Sequence, residues 1–210
     1  MEYPLALALV DFLPVIAMAT GLTLLVPYVG RRAGPTPAAL IGGVLVVSGG
    51  ALKAIWKTIV ASGGPDIAWM AGAQFFLMGP GFTLLGWALL SVGSKRPPPL
   101  WAFLAFALAG VAAAVATGAN WPLLIVTTAS ATILAVRLIL LARPAGDVVA
   151  MALLGFNILG TYSMGMLAGQ AEQTIAVQWL EESLNTLIWT AFAVAVWRVT
   201  RAHTRMVSVS

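Results

Sequence analysis

Seven runs of mostly apolar residues, the shortest eighteen long, follow one another with little between them: residues 4–29, 37–61, 66–92, 100–117, 121–142, 148–168 and 174–199. A helix rising about 1.5 Å per residue needs ~20 such residues to cross the hydrocarbon core of a bilayer. A soluble domain carries about 25% charged residues, whereas Asp, Glu, Lys and Arg here make up 9% and hydrophobic residues 60%. The expected fold is therefore all-α: one integral membrane domain over residues 1–210, built as a seven-helix transmembrane bundle. Residues 4–29 are preceded by Glu2 and followed by Arg31 and Arg32. A cleavable leader has the opposite charge order and a shorter core, so this run is read as the first span.

The basic residues set the orientation. Arg31, Arg32, Lys95, Arg96, Arg143 and the tail residues Arg198, Arg201 and Arg205 fall on one side of such a bundle, with Arg137 close to it. The opposite connections, SGGPD, TGAN and GQAEQ, hold no Lys or Arg, and Glu2, Asp66 and Glu172 lie on that side. By the positive-inside rule the N-terminus is expected outside and the C-terminus in the cytoplasm. Tryptophans fit the same frame, with Trp56, Trp69, Trp121 and Trp179 towards the outer boundary and Trp87, Trp101 and Trp197 towards the inner. The Ala, Val and Gly richness and minimal loops point to a bacterial plasma membrane. The net charge of +4 is thus spent at helix ends rather than in a nucleic-acid-binding patch, and no nucleic acid partner is expected.

Ionisable groups inside the spans are costly and need protein or trapped water around them. In the last run Gln178, Glu181, Glu182 and Asn185 recur at i, i+3, i+4 and i+7, one face of a helix. Residues 37–61 carry Lys53 and Lys57 just beyond the small-residue surface of Gly42, Gly43, Ser48, Gly49 and Gly50, on which another helix can approach closely. Lys57 is near enough to the helix end to reach the surface, so Lys53 is the lysine expected to need a partner. The first run adds Asp11, three residues before Pro14, a polar kink. The third adds Gln74 and the sequence Gly79-Pro80-Gly81, a candidate break of the kind transporters use near the membrane midplane. Residues 100–117 hold no charge and read as scaffold. Asn157 and Thr161 mark one face of the sixth run, and Thr127 and Thr128 lie in the fifth. Counted from the outer boundary, Asp11 lies roughly 10 Å deep, with Lys53, Gln74, Glu181, Glu182 and Asn185 at a similar level.

Four or more helices thus send polar groups to one layer of the outer half. The expected ligand-binding set is Asp11, Lys53, Lys57, Gln74, Asn157, Glu181, Glu182 and Asn185, with Lys53 paired to Glu181 or Glu182. A leftover acid in such a layer can take a proton near neutral pH. The first functional expectation is transport or permeation of a small polar or charged solute, with proton coupling and the Gly79–Gly81 break as the moving part. An intramembrane lipid-modifying enzyme would use Glu181 and Glu182 as acid and base with Lys53 as stabiliser. A ligand-binding sensor would need a cytoplasmic partner, and an accessory subunit would use the same residues for helix contacts. The chain has no cysteine and its single histidine, His203, is in the tail, which argues against thiolate, haem and zinc chemistry. A retinal Schiff base could use only a lysine on the second span. Two lysines in the layer oppose a cation. No metal and no cofactor are expected; the partners are the bilayer, a small solute or lipid, and a homo-oligomer or larger membrane complex is compatible with the pattern.

Overall fold

The computed structural model describes residues 4–34, 36–168 and 174–207, so Glu2 and the connection holding Glu172 lie outside the described residues. Every regular element among those described is helical: α1 (Leu5–Val10), α2 (Phe12–Ala33), α3 (Thr36–Ala61), α4 (Ala68–Ser91), α5 (Leu100–Thr117), α6 (Trp121–Ala142), a single 3-10 turn (Arg143–Ala145), α7 (Val148–Ala168) and α8 (Ile175–Val207). Five stretches are long and apolar enough to cross a membrane: Leu5–Arg32, Thr36–Ala61, Ala68–Ser91, Leu100–Thr117 and Trp121–Ala145. Val148–Met164 is a shorter apolar helix. α8 has the length, but Glu181, Glu182, Arg198 and Arg201 dilute its apolar character, and it stays helical past residue 199 to Val207.

The helices close into a ring. α2 packs on α3, α3 on α4, α4 on α6, α6 on α7, α7 on α8, and α8 back on α2. α5 lies outside, against α4 and α6, and turns a broad apolar face outward, with Trp101 72%, Leu108 67% and Val115 70% exposed. Leu13, Ile16, Leu40, Ile41 and Leu159 are exposed on other helices. Apolar surface on this scale is foreign to a water-soluble monomer and natural to one facing lipid. Inside the ring, at the end that carries Arg31, Arg32 and Arg143, Leu25, Val29, Leu89, Leu138, Leu154 and Val199 form a solid apolar core.

Between helices in lipid, close packing replaces the hydrophobic effect as the main source of association. α3 supplies it on two faces. Gly42 and Gly49, seven residues apart, lie against α4, where a Cβ would come within 2.7 Å of the Gly81 and Gln74 carbonyl oxygens respectively. Gly43 and Gly50 face α2, near Val26 and Val15. Gly81 reciprocates, lying against the Gly42 carbonyl. This explains why the expected break at Gly79-Pro80-Gly81 is absent: α4 is helical throughout with Pro80 inside it, and its glycine lets two backbones meet. The Gly79 carbonyl accepts the Thr83 hydroxyl at 2.8 Å, and Thr83 meets Ser130 of α6 at 2.9 Å.

The interruption lies instead in the first run. α1 stops at Val10 and α2 starts at Phe12, with Asp11 at the turn (φ −57°, ψ −20°). Pro14 has no N–H to offer the Val10 carbonyl, which is the bond a continuous helix would make there.

A further tie lies at the other end of the ring, where Asp147 precedes α7. Its carboxylate accepts the Ala150 N–H at 3.0 Å and both oxygens lie 3.0 Å from Arg198 Nε of α8. Partial burial opposes its charge, but the Ala150 N–H and the Arg198 guanidinium outweigh this and hold the carboxyl below its ordinary range. A depressed carboxyl adds stability above the unfolded-state value of about 3.9 and loses it as pH falls through the folded-state value. The stability difference between wild type and Asp147→Asn, measured by unfolding in mixed micelles, is therefore expected at pH 7 and should shrink as pH falls below about 4. On the same assay Gly49→Ala should cost about 1–3 kcal/mol through overpacking, while Gly43→Ala, whose Cβ would meet nothing closer than 3.5 Å, should stay within ~0.5 kcal/mol of wild type.

Candidate functional site

Three helical segments meet at one ammonium. Lys57 of α3 places Nζ 2.6 Å from Asp11 Oδ2 and 2.8 Å from Glu182 Oε1 of α8, and all three side chains are more than nine-tenths buried. Their two contacting oxygens can be no further apart than the sum of those distances, so two carboxyls share one cation. The second oxygen of Asp11, Oδ1, is buried and has no hydrogen-bond partner among the described residues. Asp11 stands at the one-residue gap between α1 and α2, where the backbone keeps near-helical dihedrals.

This corrects the expected pairing, in which Lys53 held the acid and Lys57 reached the surface. Rotation about α3 decides the outcome. Lys57 is seven residues beyond Gly50 and fourteen beyond Gly43, so it faces α2, as they do; Lys53 follows Gly49 by one turn and is turned towards α4. Lys53 makes no ion pair or hydrogen bond with the described residues. It is half-buried, and the surface it keeps opens into a cavity.

That cavity has two lobes that share Lys53, Gln74, Met78, Glu182, Asn185 and Trp189. The smaller, about 40 Å³, reaches Asp11, Pro14 and Gly50. The larger, about 180 Å³, extends between α4, α6, α7 and α8 past Glu181, Thr127, Thr128 and Thr161. Both lie in the half of the ring nearest the connections at 62–67 and 118–120. Its polar end is Lys53, Gln74, Asn185 and the two glutamates; Phe75, Phe82, Leu124, Ile188 and Trp189 make the other walls apolar. The hydroxyls are partly spoken for, since Thr127 donates to the Leu123 carbonyl at 2.7 Å and Thr161 to the Asn157 carbonyl at 2.8 Å. Among the described residues Gln74 Nε2 has only the Met78 sulfur, at 3.5 Å. Lys53, Gln74 and Asn185 are thus the groups with the most hydrogen-bonding capacity left for a guest.

Below the cavity lies an aromatic floor. Phe82 stacks on Trp189 with ring centres 5.7 Å apart, and Trp189 meets Phe192 edge-on at 5.5 Å. Phe192 already belongs to the apolar core. The site is therefore sealed on its inner side by ring-on-ring contact.

No family model matches this chain, and neither a curated protein nor a solved structure shows significant similarity to it. Geometry alone must carry the functional argument.

Of the residues singled out in the sequence, the cavity unites Asp11, Lys53, Gln74, Glu181, Glu182 and Asn185. Lys57 stands behind it as the buried cation. Asn157 is elsewhere: it is buried and donates Nδ2 to the Ile188 carbonyl at 3.2 Å, a strut between α7 and α8. The sequence reading passed over Trp189. Its signal was available, because residue 189 continues the 178, 182, 185 face by one further turn and is a tryptophan far from either interfacial belt.

Removing Lys57 leaves two buried carboxyls without their cation, a loss expected to cost about 3–5 kcal/mol. Lys53→Met breaks no ion pair and should cost less than ~1.5 kcal/mol. Parallel unfolding of Lys57→Met and Lys53→Met proteins tests this, and equal losses would mean that the two lysines share the acids.

Proposed function

We propose that this chain is a seven-span carrier of the plasma membrane, with its N-terminus outside, that takes a small polar or charged solute into the outer-half cavity. The observation that carries the reading is Lys53: a lysine within the polar layer, in no ion pair with the described residues, facing a hollow large enough for a small molecule. An ion triad alone would serve as a lock between helices. A lock needs no adjoining cavity, and it needs no second cation.

Several features support a one-sided binding state. The cavity reaches towards the end with acidic and uncharged connections, the aromatic floor closes it inward, and the solid core fills the rest of the ring. Release on the other side then requires the Phe82–Trp189 contact and the core around Leu89 and Leu138 to part, in alternating access. Since α4 is unbroken, the flexible point in this reading is the turn at Asp11 rather than Gly79–Gly81. Proton coupling follows from an excess of acid over base around Lys57. The enzyme alternative asks Glu182 to act as a free base, whereas its carboxylate is held on Lys57.

Orientation is testable because the chain has no cysteine. Ser62→Cys should react with an impermeant maleimide in intact cells, and Ser94→Cys only after the membrane is opened; the reverse pattern would invert the topology. In proteoliposomes screened with mixed small metabolites, Lys53→Met should reduce uptake of the transported solute at least tenfold without loss of folded protein. Undiminished uptake would remove Lys53 from the site.

A further inference from the structure

The walls of the cavity say more about the guest than its size does, and the following rests on reading the cavity as a solute site. The larger lobe, about 180 Å³, compares with the roughly 150 Å³ that accommodates benzene in an engineered apolar cavity. Its inner part is suited to an apolar body: Phe75, Phe82, Leu124, Ile188 and Trp189 line it, with Phe82 and Trp189 stacked on each other. Its polar end offers Lys53, which makes no direct ion pair with the described carboxylates, with the Gln74 and Asn185 amides as further donors.

The charges facing this end can be counted by element. The Asp11 turn brings one carboxyl, α3 brings Lys53 and Lys57, and α8 brings Glu182 and, half-buried at the margin of the larger lobe, Glu181. α4, α6 and α7 contribute only uncharged groups to the cavity walls. Lys53 and Lys57 balance Asp11 and Glu182, and Glu181 adds a further negative charge. A cationic guest would meet Lys53 directly. An anionic guest satisfies Lys53 but withdraws the one cation that offsets the second carboxyl of the triad. Charge in a low-dielectric layer is then restored by a proton, and a vacant, buried acceptor for it exists at Asp11 Oδ1.

We infer that the solute is a small organic monocarboxylate with an apolar body, bound through Lys53, and that its arrival brings one proton into the Asp11–Glu182 pair. Solute and proton enter together, so the loaded site carries the same net charge as the empty one. Asp11 and Glu182 are positioning and proton-holding groups here, and Lys53 is the recognition residue.

The test uses the purified full-length chain in nanodiscs and three isosteric probes: benzoate, benzamide and benzamidinium. Titration calorimetry in two buffers of different ionisation heat gives affinity and proton count together. Benzoate should bind at least tenfold more tightly than benzamide, benzamidinium should not bind, and about one proton should be taken up per benzoate, so that benzoate Kd rises about tenfold per pH unit. Lys53→Met should bring benzoate down to the affinity of benzamide, and Asp11→Asn or Glu182→Gln should abolish the proton uptake. Benzamide binding as tightly as benzoate, or benzoate binding with no proton and no pH dependence, would overturn the inference. Both of these readings need only the wild-type protein, so a variant that fails to fold does not spoil the test. The carrier reading fails separately. Proton-linked benzoate binding with no uptake into proteoliposomes would keep the carboxylate site and remove the carrier, whereas uptake of some other solute by protein that ignores benzoate would keep the carrier and remove this inference.

Discussion

One ammonium held between two carboxylates organises the half of this molecule nearest the connections at 62–67 and 118–120. Taking a charge out of water costs several kcal/mol even after relaxation, and only close opposite charge with good geometry repays it. Lys57 meets that requirement at 2.6 and 2.8 Å, and doing so fixes three segments relative to one another. The first run must bring Asp11 to that point, α3 must present residue 57 towards α2, and α8 must bring its polar face inward. Each condition has its own local cause: Pro14 loosens the backbone after Val10, Gly43 and Gly50 let α3 settle against α2, and Gln178, Glu182 and Asn185 share one stripe of α8.

The same glycines explain why a cavity lies where it does. Gly42 and Gly49 draw α3 onto α4 until carbonyl oxygens limit the approach. On the face towards α4 the glycines end at Gly49. One turn further on Lys53 places a long side chain at the cavity, and on the facing elements Phe75 and Trp189 do the same. Close approach in one half and bulky side chains in the other leave a wedge, and the wedge is the cavity. The far half escapes this because Leu25, Leu89, Leu138 and Leu154 fill it completely.

Much of the site could be read from the chain because depth in a membrane is a matter of counting. Residues 11, 53, 74, 181, 182 and 185 lie at one level by helical rise alone, and the structure brings those side chains to one cavity. Azimuth was harder. Lys53 and Lys57 differ by four residues, about 40° of rotation, and which of them meets Asp11 depends on how α3 is turned by glycines ten residues away. The spacing 43, 50, 57 held that information, but only together with knowledge of which glycine faces which helix. Asn157 misled for a related reason, since its depth is similar yet it points at the α8 backbone. Gly79-Pro80-Gly81 misled because a glycine that permits a break and a glycine that permits a close approach look alike in one dimension. Rings packed across two helices leave no mark in either sequence segment alone, so the pairing of Phe82 with Trp189 was not legible at all.

These placements limit how the molecule could move. A helix bends most readily where its own hydrogen bonds are already missing. α4 keeps its helical course through Pro80, and it is clamped to α3 by backbone contacts at Gly42, Gly49 and Gly81, so bending it would cost packing along its whole length. At Asp11 the bond from residue 14 to Val10 is absent whatever the conformation, and what resists displacement of the six-residue α1 is its packing and the contact of Asp11 with Lys57. Any displacement of α1 shifts Asp11 relative to Lys57, and so alters the electrostatic balance that Glu182 and Lys53 experience on the other side of the same ammonium. Charge state at the cavity and position of the first helix are for that reason coupled through a single contact, with no need for a signal relayed through the packed half of the ring.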